Sequence, residues 1–113
     1  MTIGEIIRAT DATALTNPTD ESRAIACGYS CDLLSWVMAH GKPGMAWITV
    51  QTHMNVVAVA TLHDMHLVIV PEGGAVPPDV VKKAEEEDIA MISSPMTAFE
   101  ISGILYAAGV SAR

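Results

Sequence analysis

Apolar residues fall along the chain in two alternating textures. Short runs rich in β-branched and aliphatic residues occur at Ile25–Tyr29, Ala46–Val50, Leu67–Val70 and Ile89–Ile92, with a weaker one near Ala12–Leu15. None alternates cleanly between polar and apolar positions. A strand that is apolar on both sides is buried on both sides, the mark of a parallel sheet covered by helices. Between these runs lie segments of helical character at Ile3–Thr10, Asp32–His40, His53–His63, Asp79–Asp88 and Ala98–Ala108. The punctuation agrees with this division. Gly41 and Pro43 stop the second segment, and Pro77 and Pro78 suit the start of the fourth. Thr97 and Glu100 have capping-box spacing at the start of the fifth, and Gly109 is placed to cap its end. Strand–helix repeats of this length read as βαβ units with right-handed crossovers. The expectation is an α/β fold, three layers in α/β/α order around a mostly parallel sheet of about five strands. Residues 1–113 read as a single domain without repeats or linkers. Asn17–Ser22 is the polar loop long enough to be mobile, and Glu72–Pro78 is a tighter one.

Composition adds constraints. Half of the 113 residues are hydrophobic and 17% are charged, a richer apolar share than an average domain carries. With one Phe, two Trp and two Tyr, the core must be aliphatic. Thirteen acidic and six basic residues give a net charge of −7. That balance opposes nucleic acid, which needs a basic footprint, and an anionic membrane surface alike. No run approaches the ~20 apolar residues of a membrane span. The N-terminal segment, with Glu5 and no long apolar run, is not a secretory signal, so a cytoplasmic setting is expected. Cys27 and Cys31 are too few for a disulfide framework.

In open parallel sheets, ligands bind beyond the carboxyl ends of the strands. Four such ends can be read here, after Tyr29, Val50, Val70 and Ile92. Three of them run into a helix N-terminus, whose free N–H groups and partial positive charge suit an anion. The candidate ligand-binding residues are Gly28, Ser30, Asp32, Gln51, Thr52, His53 and Ser94, with Gly28 permitting close backbone approach. Ser, Thr, Asp and Asn at such places also serve as plain N-caps. Gly73-Gly74 is too short for a phosphate-binding loop, and the G-x-x-x-x-G-K-[ST] pattern does not occur. His63, Asp64 and His66 could be drawn as a metal cluster, but one histidine ends a helix and the other begins a strand. The C-x₃-C spacing of Cys27 and Cys31 is not a zinc knuckle. Cys31 and His53 form the one conceivable nucleophile–base pair, against the plainer reading of both cysteines as small buried residues. No catalytic residue, metal or cofactor is assigned.

The stretches Gly28-Tyr29-Ser30-Cys31-Asp32-Leu33-Leu34-Ser35 and Trp47-Ile48-Thr49-Val50-Gln51-Thr52-His53 resemble the stand-alone DRTGG domain. So do Asn55–Ala60 and Ala98-Phe99-Glu100-Ile101, and the likeness covers nearly the whole chain. DRTGG domains are similar to the N-terminal domain of HPr kinase/phosphorylase and occur beside CBS domains and in phosphotransacetylases. The resemblance implies an α/β/α domain with a regulatory, ligand-sensing role and no catalytic activity of its own. Kinase chemistry is not implied, since it belongs to a separate phosphate-loop domain of the HPr enzyme. The family's Thr-Gly-Gly falls on Ala26-Cys27-Gly28, so only its last glycine is kept. Asp20 or Glu21 stands where the acidic residue is expected, and Arg23 near the arginine.

Two apolar sides on one helix point to a partner. On the last helix Ile101, Ile104, Leu105 and Ala108 form one stripe, while Phe99, Gly103 and Tyr106 lie opposite. The segment His53–His63 is apolar all round, and Trp36 widens the arc of the one before it. A two-fold homodimer is the expected solution. The leading functional expectation is a regulatory module holding a small anionic metabolite or nucleotide at the strand ends. The alternatives are an interaction subunit of a redox or signalling complex acting through Trp36, Phe99 and Tyr106, and a Cys31-dependent enzyme.

Overall fold

A computed structural model describes residues 1–113. Its elements are α1 (Ile3–Ala9), β1 (Thr13–Ala14), β2 (Cys27–Ser30), α2 (Leu34–His40), β3 (Met45–Ile48), α3 (Met54–Leu62), β4 (Leu67–Val70), α4 (Pro78–Glu86), β5 (Ala90–Ser93) and α5 (Ala98–Ala107). Every segment expected from the apolar pattern is present, with boundaries shifted by up to two residues. The caps explain the helix starts. Thr2 with Glu5, and Thr97 with Glu100, form full capping boxes, in which each side chain satisfies the other's free backbone N–H. The Thr2 hydrogen bonds hold the Glu5 carboxyl below the ordinary carboxylate range.

The sheet runs β1-β5-β4-β3-β2. Strands β2 to β5 are parallel, and β1 pairs antiparallel with β5. A lateral row passes Tyr29, Trp47, Val68 and Met91 from one strand to the next. Alternation along the strands then divides the core in two. Met45, Trp47, Val68, Val70 and Met91 face the layer of α2, α3 and α4. Ala46, Ile48, Leu67, Ile69, Ala90 and Ile92 face α1 and α5. The three-layer α/β/α arrangement is therefore as the sequence implies.

One inference from the sequence is corrected by this layering. The all-round apolarity of α3 does not require a partner, because α3 lies between α2 and α4 over the middle of the sheet. Val56, Val57, Val59 and Ala60 are buried by these neighbours. The loop Asn17–Ser22 is tied down, with the Asn17 N–H donating to Glu85 Oε2 at 2.7 Å and Thr19 Oγ1 donating to the Thr16 carbonyl at 2.7 Å. No helix is long and apolar enough to cross a membrane.

Candidate functional site

All four parallel strands end on one edge of the sheet, so the β2–α2, β3–α3, β4–α4 and β5–α5 loops share it. The order β2-β3-β4-β5 is unbroken, with α2 to α4 on one face. This part of the sheet therefore lacks the reversal of strand order that opens a binding crevice in doubly wound folds. The loops themselves decide what stays open.

At the β2–β3 side, Asp32 closes the edge. Its Oδ1 accepts from Thr49 Oγ1 at 2.9 Å and from the Val50 N–H at 2.9 Å. Gln51 Nε2 donates to the Asp32 carbonyl at 3.3 Å. Beneath them, the Trp47 indole N–H donates to the Cys31 carbonyl at 2.8 Å. At the β4–β5 side, Ser94 is fully buried. Its hydroxyl donates to the Thr10 carbonyl at 2.6 Å and accepts from the Met96 N–H at 3.1 Å, which staples α1 to the end of β5. The N–H groups of Glu72 and Gly73 donate to the carbonyls of Met96 and Ser94, each at 2.8 Å.

Between these two closures a cavity of about 430 Å³ remains, lined by Val50, Gln51, Thr52, His53, Met54, Pro77, Asp79 and Val80. It combines the β3–α3 loop with the first turn of α4. His53 caps α3: its Nδ1 accepts from the Asn55 N–H at 3.1 Å. A capping Nδ1 must be unprotonated, so in this arrangement Nε2 carries the hydrogen and is the remaining donor. Asp79 is the one carboxylate of the cavity, and no Lys or Arg lines it.

Gly28 and Ser30 lie elsewhere. They line a second cavity of about 260 Å³, with Tyr29, Ile48, Ser102, Tyr106, Val110, Ser111 and Ala112. It sits against the outer edge of β2, opposite α5. Of the seven candidate residues, the structure thus gathers Gln51, Thr52 and His53 in one cavity and Gly28 and Ser30 in another. Asp32 and Ser94 make internal hydrogen bonds between loops. Sequence reasoning passed over Asp79, although Pro77-Pro78 marks a helix start just past the end of β4 and so brings Asp79 to this edge. Tyr106 was expected only as a residue of an interaction surface, and Ser111 and Ala112 were passed over, because no local signal tells that the segment after the last helix folds back onto β2.

The remaining chemistry-bearing residues are dispersed. Cys31 Sγ lies 3.8 Å from the Leu33 carbonyl. Cys27 is buried, which pushes its thiol above the ordinary range. His63 Nε2 contacts the Met38 carbonyl of α2 and His66 Nδ1 the Ala24 carbonyl before β2, each at 2.8 Å, so the two rings serve different parts of the chain. Asp20, Glu21 and Arg23 belong to the segment joining β1 to β2. Arg23 pairs with Asp88 at 2.7 Å, beside the start of β5 and at the opposite edge from the open cavity.

No protein-family model matches the chain, and no curated protein matches it. Among solved structures, it is similar to the CBS and DRTGG domains of the regulatory region of Clostridium perfringens pyrophosphatase, solved with the activator diadenosine tetraphosphate. The TM-score is 0.71 at 15% identity, over 92% of this chain and 45% of that one. The chain thus spans less than half the length of that neighbour. The likeness shows that the α/β fold described above is shared with that region.

Proposed function

We infer that this chain is a DRTGG-like regulatory domain, akin to the N-terminal domain of HPr kinase, that senses a small anionic metabolite or nucleotide in the cytoplasm. The observation that carries this reading is the cavity between the β3–α3 loop and the start of α4. It offers the N-terminus of α3 and a neutral His53 donor on one side, and the Asp79 carboxylate on the other. A nucleotide satisfies both sides. Its phosphate oxygens accept from the helix N-terminus, and a ribose hydroxyl or exocyclic amine donates to Asp79. The fold it shares with a regulatory region solved with a dinucleotide activator supports the same reading. Gln51, Thr52 and His53 are the proposed contacts. Asp32 and Ser94 hold the loops that frame them, and Gly28 and Ser30 belong to the second cavity. The working form is a homodimer, supported by the exposure of Trp36, Phe99 and Tyr106.

Thermal unfolding in the presence of AMP, ADP, ATP and diadenosine tetraphosphate tests the proposal. A ligand bound to the native state at about 100 times its Kd adds about 2.7 kcal/mol of stability, a rise of several degrees in Tm. Thr52→Ala and Asp79→Asn are each expected to raise the Kd about tenfold, the equivalent of one lost hydrogen bond. A flat response across the panel rejects nucleotide sensing. It favours instead the second reading, an interaction module, for which Phe99 at 89% and Tyr106 at 75% exposure are the supporting observation.

A further inference from the structure

The cavity between the β3–α3 loop and α4 is chemically two-sided. On the α3 side, the N–H groups of Thr52, His53 and Met54 donate to no acceptor of the chain, while the Asn55 N–H is already taken by His53 Nδ1. These free donors suit one anionic group. On the α4 side, Pro77 and Pro78 have no N–H to offer, and the helix opens with the Asp79 carboxylate. That side accepts hydrogen bonds and repels a second anionic group.

The wider edge carries charge of the same sign. The loops that follow β2, β3, β4 and β5 contain Asp32 and Glu72 and no Lys or Arg. The first basic residue of α4 is Lys82, about one turn beyond Asp79, and it does not line the cavity. Lys83 is turned toward the other end of the helix, with Nζ 2.9 Å from Glu87 Oε1 and 4.0 Å from Glu86 Oε2. Each phosphate added to a nucleotide brings further negative charge, which phosphoryl sites offset with Lys, Arg or a divalent cation. Here the α3 donors match one such group, and every further one meets carboxylates.

The rest of the lining is apolar. Val50 stands 49% exposed at the end of β3, and Met54, Pro77 and Val80 complete the wall. Met54 also borders a groove of about 150 Å³ that continues between α3 and α4, past Val57 and Ala58, to Lys83 and Glu87. A sugar phosphate has nothing to place there. A nucleobase has: its ring suits contact with the Met54 thioether, and it removes the Val50 side chain from water.

We propose that this cavity takes a nucleotide with a single phosphate and discriminates against di- and triphosphates, with Asp79 as the discriminating residue and Met54 as the seat of the base. The inference rests on the nucleotide-sensing reading above and sharpens it. The affinity order it requires is AMP, then ADP, then ATP.

Isothermal titration calorimetry of the full chain with AMP, ADP and ATP, in EDTA at low salt, tests the order. AMP is expected to bind at least about tenfold more tightly than ATP. Raising the salt to about 0.5 M is expected to shrink that ratio, because screening weakens the repulsion. Asp79→Asn, which weakens AMP, is expected to weaken ATP less and so cut the ratio at least about threefold. Lys82→Ala is expected to leave both affinities unchanged. Ribose 5-phosphate, which lacks the base, is expected to bind at least about tenfold more weakly than AMP, and Met54→Ala to narrow that gap. ATP binding that equals or exceeds AMP binding overturns the discrimination while leaving the nucleotide reading intact. The same result seen only with added Mg²⁺ also overturns it, and makes Asp79 a bridge to a metal ion. A loss of ATP binding in Lys82→Ala overturns it by bringing a basic group into the site. Parity of ribose 5-phosphate with AMP, or a gap that Met54→Ala leaves unchanged, overturns the seat of the base. No binding of any nucleotide rejects the nucleotide reading itself and this inference with it.

Discussion

Asp32 stands two residues past the end of β2 and just before a helix, where a carboxylate ordinarily caps. It does not cap: the residue before α2 is Leu33, and that helix start has no side-chain hydrogen bond. Asp32 instead reaches across to β3, where its Oδ1 takes hydrogen bonds from the Thr49 hydroxyl and the Val50 N–H. Thr49 is buried, so it loses its acceptor if that carboxylate is removed. Asp32→Ala is therefore expected to destabilise the fold by about 1–3 kcal/mol, the range for stranding a buried polar group. Asp32→Asn, which keeps an acceptor oxygen, should recover most of the loss. Urea unfolding midpoints of the two variants read the difference, and equal losses would show that the charge matters rather than the acceptor. Ser94 makes the same point at the other end of the edge. Both residues are recognisable in sequence as polar groups at strand ends. Whether such a group faces a ligand or a neighbouring loop depends on residues far along the chain, such as Thr10 for Ser94. Periodicity carries no information on that pairing.

The elements themselves were far more legible, and for a physical reason. Strands buried on both faces must be apolar throughout, so Leu67–Val70 could be read residue by residue. Helix starts announce themselves through capping groups such as Thr97 with Glu100. Apolar surplus was less legible, because burial by a neighbouring helix and burial by a partner look alike in sequence. The apolar surround of α3 is explained by its place between α2 and α4. The two-sided character of α5 is not explained that way. Ile101 and Leu105 are buried against the sheet, while Phe99 and Tyr106 face outward. Ile101→Ala should cost about 2–5 kcal/mol, the range for emptying a packed aliphatic site. Phe99→Ala should stay within about 0.5 kcal/mol, as exposed substitutions do. Chemical unfolding at low micromolar protein measures both. A large loss at Phe99 that grows with protein concentration would show that this residue is covered in an oligomer.

At the scale of the molecule, the two half-cores lie on opposite faces of one sheet and share every central strand. Residues of β3 and β4 contribute alternately to each: Trp47 and Val68 to one side, Ile48 and Ile69 to the other. Neither helical layer can detach without exposing the strands on which the other is packed, so residues 1–113 should unfold as one cooperative unit. The two tryptophans make this measurable. Trp47 is fully buried under the α2–α4 layer, whereas Trp36 is half exposed. Trp36→Phe leaves Trp47 as the sole indole, so fluorescence then reports on one half-core, while far-UV circular dichroism averages over all five helices. Superimposable urea transitions by the two probes, with an m value of about 1–3 kcal/mol/M, are the expected outcome. If the circular dichroism signal of α1 and α5 were lost before Trp47 responded, the layers would be separate units. Ser94 is the link that opposes such early loss, because its hydroxyl ties the end of α1 to β5. Ser94→Ala should therefore lower the single midpoint while leaving the two curves coincident, and a split appearing only in that variant would identify the α1 staple as the source of cooperativity.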